Sequence, residues 1–437
     1  APPMASAACA GRRRAVLLAS PAPTLVLTPA ACSSTQPAAP ASDGPLAGIR
    51  VVDLSQQVAG PAAAQLLADQ GADVVKVEPF DDGPVMGDPA RGNDGASIRS
   101  AVFSVVNRNK RSFALNLKVP EGVALLKRLA ATADVVLQNF RPGVVERLGI
   151  GYDDLKAVKP DLIYLSSSGF GSSGPYADFR AYDPVVQAVA GLAGRPRMVR
   201  IIVPDKITAL TSAQAISSAL VQKARTGRGC HIELSMLDAV VALTWPENFA
   251  PWTFVRDGED VSARGWHYVR DTIFKTKDGY VTVAAIQQKE WLALCEALER
   301  PAWKDDARFS TNVAREQNRQ LRLDMTEEVL RELPTAEVMR RMRAHDVPAA
   351  VVNHPLHRVL QDEQVRASGL VVEYDAPGTP SGRVRQARPA ARFSGTSLEV
   401  RHPAPLLGQH TAEVLAELGV DAPEARGLHN RGVVKLS

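Results

Sequence analysis

Cysteine is scarce in this chain: there are four among 437 residues, Cys9, Cys32, Cys230 and Cys295. No two form a CxxC pair and none stands with histidines at ligand spacing. Neither a disulfide framework nor a zinc site is therefore indicated, and a reducing compartment, the cytoplasm, is expected. Histidine is absent altogether before His231, which removes the commonest general base from the first half of the chain. No uninterrupted apolar run is long enough to cross a bilayer, so no membrane role is expected. Net charge is nearly absent as well, because 51 Lys and Arg face 47 Asp and Glu. The basic residues are mixed with acids rather than gathered in a stripe, which argues against nucleic acid as a partner. What remains is an ordinary globular composition, 45% apolar and 22% charged, long enough for two or three domains.

Residues 1–47 are rich in Ala, Pro and Ser and lack a sustained amphipathic period. Arg12, Arg13 and Arg14 precede an apolar stretch that imitates a signal peptide, but Pro21, Pro23 and Pro29 interrupt it. A disordered extension is expected there. The fold begins at Gly48. IRVVDL (49–54) reads as a buried strand, and Gly60-Pro61 open a helix that Gly71 stops. ADVVKVE (72–78) is the next strand. Strand, helix and strand within about thirty residues make a βαβ unit and hence a parallel sheet. RSFALNL (111–117), DVVLQNF (134–140), DLIYLSSSGF (161–170) and HIELSM (231–236) extend the series. A helix is expected to follow Asp205 to about Arg225, with Gly227 and Gly229 ending it.

The expected organisation is an α/β domain over 48–244, a smaller α+β domain over 245–346 and a return segment over 347–437. The smaller domain contains a hairpin turning at Asp278-Gly279, and the last expected helix is HTAEVLAELG (410–419).

The first βα turn, QQVAGPAA (56–63), lacks GxGxxG, so an ordinary dinucleotide site is not supported. The free amides of a helix start after a parallel strand still favour an anion. In open α/β sheets the loops at the carboxyl ends of the strands line the ligand crevice. NRNKRS (107–112), Lys118, NFRPG (139–143) and Arg147 place basic groups there that suit phosphates, and Phe140 suits a base or a pantetheine arm. The competing reading is a set of solvated charges at helix ends. Asp205 stands in VPDKITALTSAQ (203–214), where Asp is a preferred N-cap. A cap and a nucleophile are physically compatible, because dipole and amides keep the carboxylate ionised.

These motifs jointly resemble the family III CoA-transferases, the group of formyl-CoA transferase and the carnitine and bile-acid CoA-transferases. The resemblance covers about residues 46–435. It rests on GIRVVDLS…AGPAAAQLLADQGADVVKVE (48–78), NRNKRSFALNLKVPEG (107–122), NFRPGVVERLG (139–149), AYDPVVQAVAGLAG (181–194), ARTGRGCHIELSMLDA (224–239) and PLLGQHTAEVLAELG (405–419). It implies a Rossmann-like large domain completed by the C-terminal segment, a small α+β domain, and two interlocked chains.

The resemblance also implies that Asp205 attacks an acyl-CoA thioester and passes through an aspartyl-CoA thioester, with a carboxylic acid as acceptor and no tightly bound cofactor or metal. By position it implies CoA contacts at Gln56, Gln57, Ala59, Leu115, Lys118, Asn139, Phe140, Arg147 and Arg180, with Tyr182 and Asp183 bordering the acyl pocket. Two departures bear on specificity. The His-Val-Gln turn of formyl-CoA transferase is Gln56-Gln57-Val58 here, and its glycine-rich lid has no counterpart in 255–272; a formyl/oxalyl pair is therefore not expected. An α-methylacyl-CoA racemase of the same fold is the rival. Its GHD segment falls on Ala181-Tyr182-Asp183, which lacks the histidine. The third alternative is a non-catalytic acyl-CoA-binding paralogue in which Asp205 merely caps.

Overall fold

The computed structural model describes residues 43–80, 87–92, 100–193, 197–256, 259–260 and 272–437, and residues 42–437 form one compact unit. The expected extension over 1–47 lies almost entirely outside the described residues, as do Cys9 and Cys32.

Six strands make the central sheet: β1 Arg50–Asp53, β2 Asp73–Glu78, β3 Lys110–Ala114, β4 Val135–Gln138, β5 Ile163–Ser168 and β6 Cys230–Ser235. All neighbours pair in parallel, in the order β3-β2-β1-β4-β5-β6. β1, β2 and β4 are rich in Val because both their faces are covered, whereas the edge strand β6 leaves His231 and Glu233 exposed. Alternation sends neighbouring residues to opposite layers. Val51, Val74 and Val135 pack with Leu67, Ile216 and Leu220 under the Ala59–Asp69 and Val203–Thr226 helices. Val52, Val75 and Val136 pack on the other face with Leu126 and Leu129 of the Pro120–Ala131 helix.

The second layer is finished from the far end of the sequence. Val414, Leu415, Val420, Leu428, Val433 and Val434 join Phe113, Leu115 and Tyr164 in the same buried cluster. The return segment is also stitched to the edge strand β3. Asn116 N donates to Val433 O at 2.9 Å, His410 N to Ser112 O at 3.0 Å, and Leu115 bridges antiparallel to Val434. An edge that would otherwise present open hydrogen-bonding groups is thereby covered.

A three-stranded antiparallel sheet lies between. Ile273–Lys275 pairs with Tyr280–Val283, which pairs with Ala349–Val351. The expected turn at Asp278-Gly279 is present, and Asp278 Oδ1 accepts Thr335 N at 2.7 Å at the start of the Thr335–Ala344 helix. Phe274, Val281, Trp291, Leu294, Phe309, Leu330 and Met342 form this sheet's own core against its helices.

Two sequence expectations need correction. The long helix begins at Val203, two residues before Asp205, because proline is accepted in a first helical turn and Pro204 occupies one. HTAEVLAELG is not the last helix. A further one, Ala422–Asn430, follows it, capped by Asp421, whose side chain accepts Glu424 N at 2.8 Å.

Candidate active site

The strand order reverses between β1 and β4, and that gap opens the crevice at the strands' carboxyl ends. The turn after β1 forms one wall. Leu54 N donates to Leu137 O at 2.9 Å, which carries the β1–β4 pairing one residue past the strand. Asn139, just after β4, then holds both polar groups of one residue: its Oδ1 accepts Gln56 N at 2.8 Å and its Nδ2 donates to Gln56 O at 2.8 Å. Gln57 follows in the left-handed region at φ 68°, a conformation that a side chain with a Cβ resists. Gly60 is required behind it, because a Cβ there would stand 2.3 Å from Ser55 Cβ.

Beneath this turn lies a lattice of buried charges. Asp53, Lys76 and Lys110, at the last residue of β1, inside β2 and at the first residue of β3, have fully buried side chains. Lys110 Nζ meets Asp53 Oδ2 at 2.8 Å, Lys76 Nζ meets Asp88 Oδ2 at 2.9 Å, and Arg91 Nη2 meets Glu78 Oε1 at 2.7 Å. Burial opposes each charge. Around Lys76 the carboxylates of Asp88, Asp53 and Glu78 outweigh it and hold the ammonium above its usual range. For Lys110, burial wins, helped by Lys76, and its value is pushed down to about 8. Asp53 and Glu78 are both lowered, since their cationic partners outweigh burial. Bonds from Lys76 Nζ to Ser55 O (2.8 Å) and from Gln57 N to Asp88 Oδ1 (2.9 Å) connect the lattice to the turn.

Asp205 lies on the opposite wall, half-buried, as the third residue of the Val203–Thr226 helix. It is not the cap residue. Its own backbone N–H donates to Asp183 Oδ2 at 3.1 Å. Asp183 is buried, and Gln187 Nε2 donates to its other oxygen at 2.6 Å. Gln187 also reaches Ile201 O at 3.2 Å and accepts Val199 N at 3.0 Å, tying down the basic stretch before the helix. Burial first, and then the like charge of Asp183, push the Asp205 carboxyl up to about 6, against the opposing pull of Lys206. The helix dipole favours an anion here, but it does not offset those two effects.

Both walls line one cavity of about 590 Å³, a size suited to a small organic ligand. It brings together Gln56, Gln57, Ala59, Asn139, Phe140, Arg180, Tyr182, Asp183 and Asp205 from the residues singled out in the sequence. Three others lie apart from it. Leu115 is fully buried in the bridge to Val434. Lys118 is exposed, with its backbone N–H on Asn116 Oδ1. Arg147 is exposed on the short Val144–Arg147 helix next to the cavity wall. The cavity wall also includes Arg141, Ser167, Ser168, Gly169, Phe179, Ile202 and Met236. Ser167 and Ser168 end β5 and Met236 follows β6, so the rule that ligand loops follow strand ends could have found them. No histidine among the described residues lines the cavity. Among the described residues no cluster suited to a metal ion occurs, and no helix is long and apolar enough to cross a membrane. Most of the 255–272 stretch, which carries no glycine-rich lid sequence, lies outside the described residues.

An α/β sheet with a carboxylate pair facing a switch-point turn defines an enzyme-like acyl or nucleotide site. Comparison makes the class specific: residues 46–411 match the family model described as CoA-transferase family III, and the chain belongs to that family and is a CoA-transferase. It is 36% identical over 390 residues to succinate–glutarate CoA-transferase of Agrobacterium fabrum, spanning 86% of this chain and 96% of that protein. Human succinyl-CoA:glutarate CoA-transferase is 34% identical over 388 residues, 86% of each chain. Formyl-CoA:oxalate CoA-transferase of Streptomyces avermitilis is 32% identical, covering 89% of this chain and 99% of that one. Among solved structures, the Mycobacterium tuberculosis protein Rv3272 superposes with a TM-score of 0.74 at 30% identity, over 87% of this chain and all of that one. A CAIB/BAIF family protein from Brucella suis gives 0.71 at 32% identity, over 86% of this chain and 99% of that one.

Proposed function

We propose that this CoA-transferase moves CoA between two carboxylic acids through covalent steps at Asp205, and that at least one of the acids is dicarboxylic. The observation that carries the reading is the placement of Asp205 on the wall of the cavity that the switch-point turn also lines. Its carboxylate attacks the thioester carbonyl of the donor. The C–S bond breaks, CoA leaves as thiolate and a mixed anhydride remains. The thiolate then attacks the aspartyl carbonyl of that anhydride, releasing the donor acid and leaving an aspartyl-CoA thioester. The acceptor carboxylate repeats the two steps in reverse and departs as the new acyl-CoA, with Asp205 regenerated. Each step exchanges one acyl bond for another of similar energy, so no hydrolysis is needed. Asp183 and Gln187 fix the start of the helix so that Asp205 faces the cavity.

Coenzyme A and its esters are read as substrates rather than resident groups. Gln56, Gln57, Ala59, Asn139 and Phe140 are the proposed contacts for the carrier, with Arg147 near the mouth, and Tyr182 and Asp183 border the acyl end. The dicarboxylic preference is supported by the succinyl and glutaryl relatives and by two exposed cations. Arg141 and Arg180 line the cavity, and neither has an ion-pair partner among the described residues. A guanidinium matches a carboxylate in shape and charge. Racemisation is disfavoured because Ala181-Tyr182-Asp183 carries no histidine. An interlocked homodimer is proposed from the family resemblance, and light scattering of the purified protein tests it.

The deciding experiment incubates the enzyme with succinyl-CoA or glutaryl-CoA and then adds hydroxylamine or borohydride. Modification is expected on the peptide containing Asp205, and Asp205→Ala should lose it while keeping its circular dichroism spectrum. Undiminished labelling in that variant removes Asp205 from the mechanism.

A further inference from the structure

The turn of Ser55–Gln57 is held in an unusual way: each of its backbone polar groups that faces the protein is satisfied by a side chain. Ser55 N donates to Asp53 Oδ1 at 2.9 Å, and the Ser55 hydroxyl bonds to the same oxygen. Ser55 O accepts Lys76 Nζ, Gln56 is held at both ends by Asn139, and Gln57 N is held by Asp88 Oδ1. Two of these partners, Lys76 and Asp88, are paired with each other at 2.9 Å, with both side chains fully buried. Asp88 is itself fixed from two sides: its N–H donates to Glu78 Oε2 at 3.1 Å, and its Oδ1 also accepts Ala90 N at 2.9 Å.

Buried ion pairs are a poor route to stability, since apolar side chains of similar volume serve as well or better. What this lattice does is geometric. Gln57 carries a left-handed backbone that its Cβ opposes, and such conformations persist only where the surroundings over-determine them. The fixed point is a carboxylate directly behind a residue that lines the cavity.

We infer that Asp88 is a positioning residue for the transfer reaction: paired with Lys76, it clamps the Gln57 amide and so holds the cavity wall in the left-handed turn that receives acyl-CoA. Lys76 acts through Asp88 and Ser55 and does not touch substrate. The inference rests on the proposed reading of Gln57 as a carrier contact, but it holds whichever acids the enzyme prefers and does not depend on the fate of Asp205.

A double-mutant cycle tests it. KM for acyl-CoA, KM for the acceptor acid and kcat are measured for the unaltered enzyme, Asp88→Ala, Gln57→Gly and the pair. Asp88→Ala should raise KM for acyl-CoA at least about ten-fold in the Gln57 background and less than about three-fold in the Gln57→Gly background, because glycine takes the left-handed turn without a clamp. KM for the acceptor should move little, and Asp88→Asn, which retains an acceptor oxygen, should recover most of the loss. Equal effects of Asp88→Ala in both backgrounds, or a lowered Tm with unchanged KM, would overturn the inference. Should Asp88→Ala not fold, hydrogen exchange on the unaltered enzyme decides: the amide of the exposed Gln57 must exchange far more slowly than those of neighbouring exposed loop residues, and rapid exchange rules the clamp out.

Discussion

The acid limb of the transfer reaction is the sharpest consequence of the Asp205 environment. Only the carboxylate attacks, and Asp205 is pushed up to about 6 by burial and by Asp183. Roughly 90% of the enzyme then carries the nucleophile at pH 7 and roughly 10% at pH 5, so the rate should fall about ten-fold over that interval, whereas an unshifted aspartate would lose only about 7%. The assay is a single turnover of acyl-CoA with excess enzyme and no acceptor, followed by trapping of the covalent product; omitting the acceptor keeps its own titration out of the profile. Asp183→Asn removes the second of the two causes and should move the limb to lower pH while burial keeps it above the ordinary position.

The same shift also predicts stability. Folded Asp205 holds its proton more tightly than the unfolded residue does, so the contribution of this group to stability is fully present below about pH 4 and is lost as pH rises through about 6. Asp205→Asn should therefore raise Tm at pH 7 and leave it nearly unchanged at pH 4. A wild-type limb below pH 5, or a limb that Asp183→Asn leaves in place, refutes the reasoning.

Arg180→Gln should cut kcat/KM for dicarboxylic acceptors such as glutarate by about ten- to one-hundred-fold while monocarboxylates of the same length change by less than about three-fold, as expected for the loss of one charge-assisted contact. Competition assays with paired acids read this directly, and equal losses on both refute a role in acid recognition. Gly60→Ala drives a methyl group into Ser55 and should cost about 1–3 kcal/mol, visible in urea denaturation, together with a loss of acyl-CoA affinity because Ser55 begins the cavity turn. Leu415→Ala, at a fully buried position in the shared cluster, should destabilise by about 2–5 kcal/mol with unchanged KM for both substrates; a change in KM without loss of stability contradicts its structural role.

Much of this architecture is written in local patterns. The βαβ opening, the run of short apolar strands and the hairpin at Asp278-Gly279 each follow from periodicity and turn chemistry, and the order of the motifs identified the family. The residues of NFRPG and of the QQVAGPAA turn share a wall, as the strand-end rule requires. What could not be read are matters of pairing between distant segments. DVVKVE looks like any buried strand, and nothing in it says that Lys76 meets Asp88 or that Lys110 meets Asp53. The start of the long helix was misplaced because Asp is a favoured cap, while Ile202 and Val203 carry no cap signal. Leu115 fits the alternation of the expected strand, yet it bridges to Val434, more than three hundred residues away, and is buried in the cluster that the return segment completes.

That last contact has a consequence for how the protein is made. The layer over β3 stays open until residues 411–434 have left the ribosome, so a growing chain displays Phe113 and Leu115 to the cell until then. The nascent polypeptide should accordingly depend on chaperones that shield apolar surface, and shortening it by some thirty residues at its carboxyl end should yield aggregated material rather than a smaller soluble enzyme.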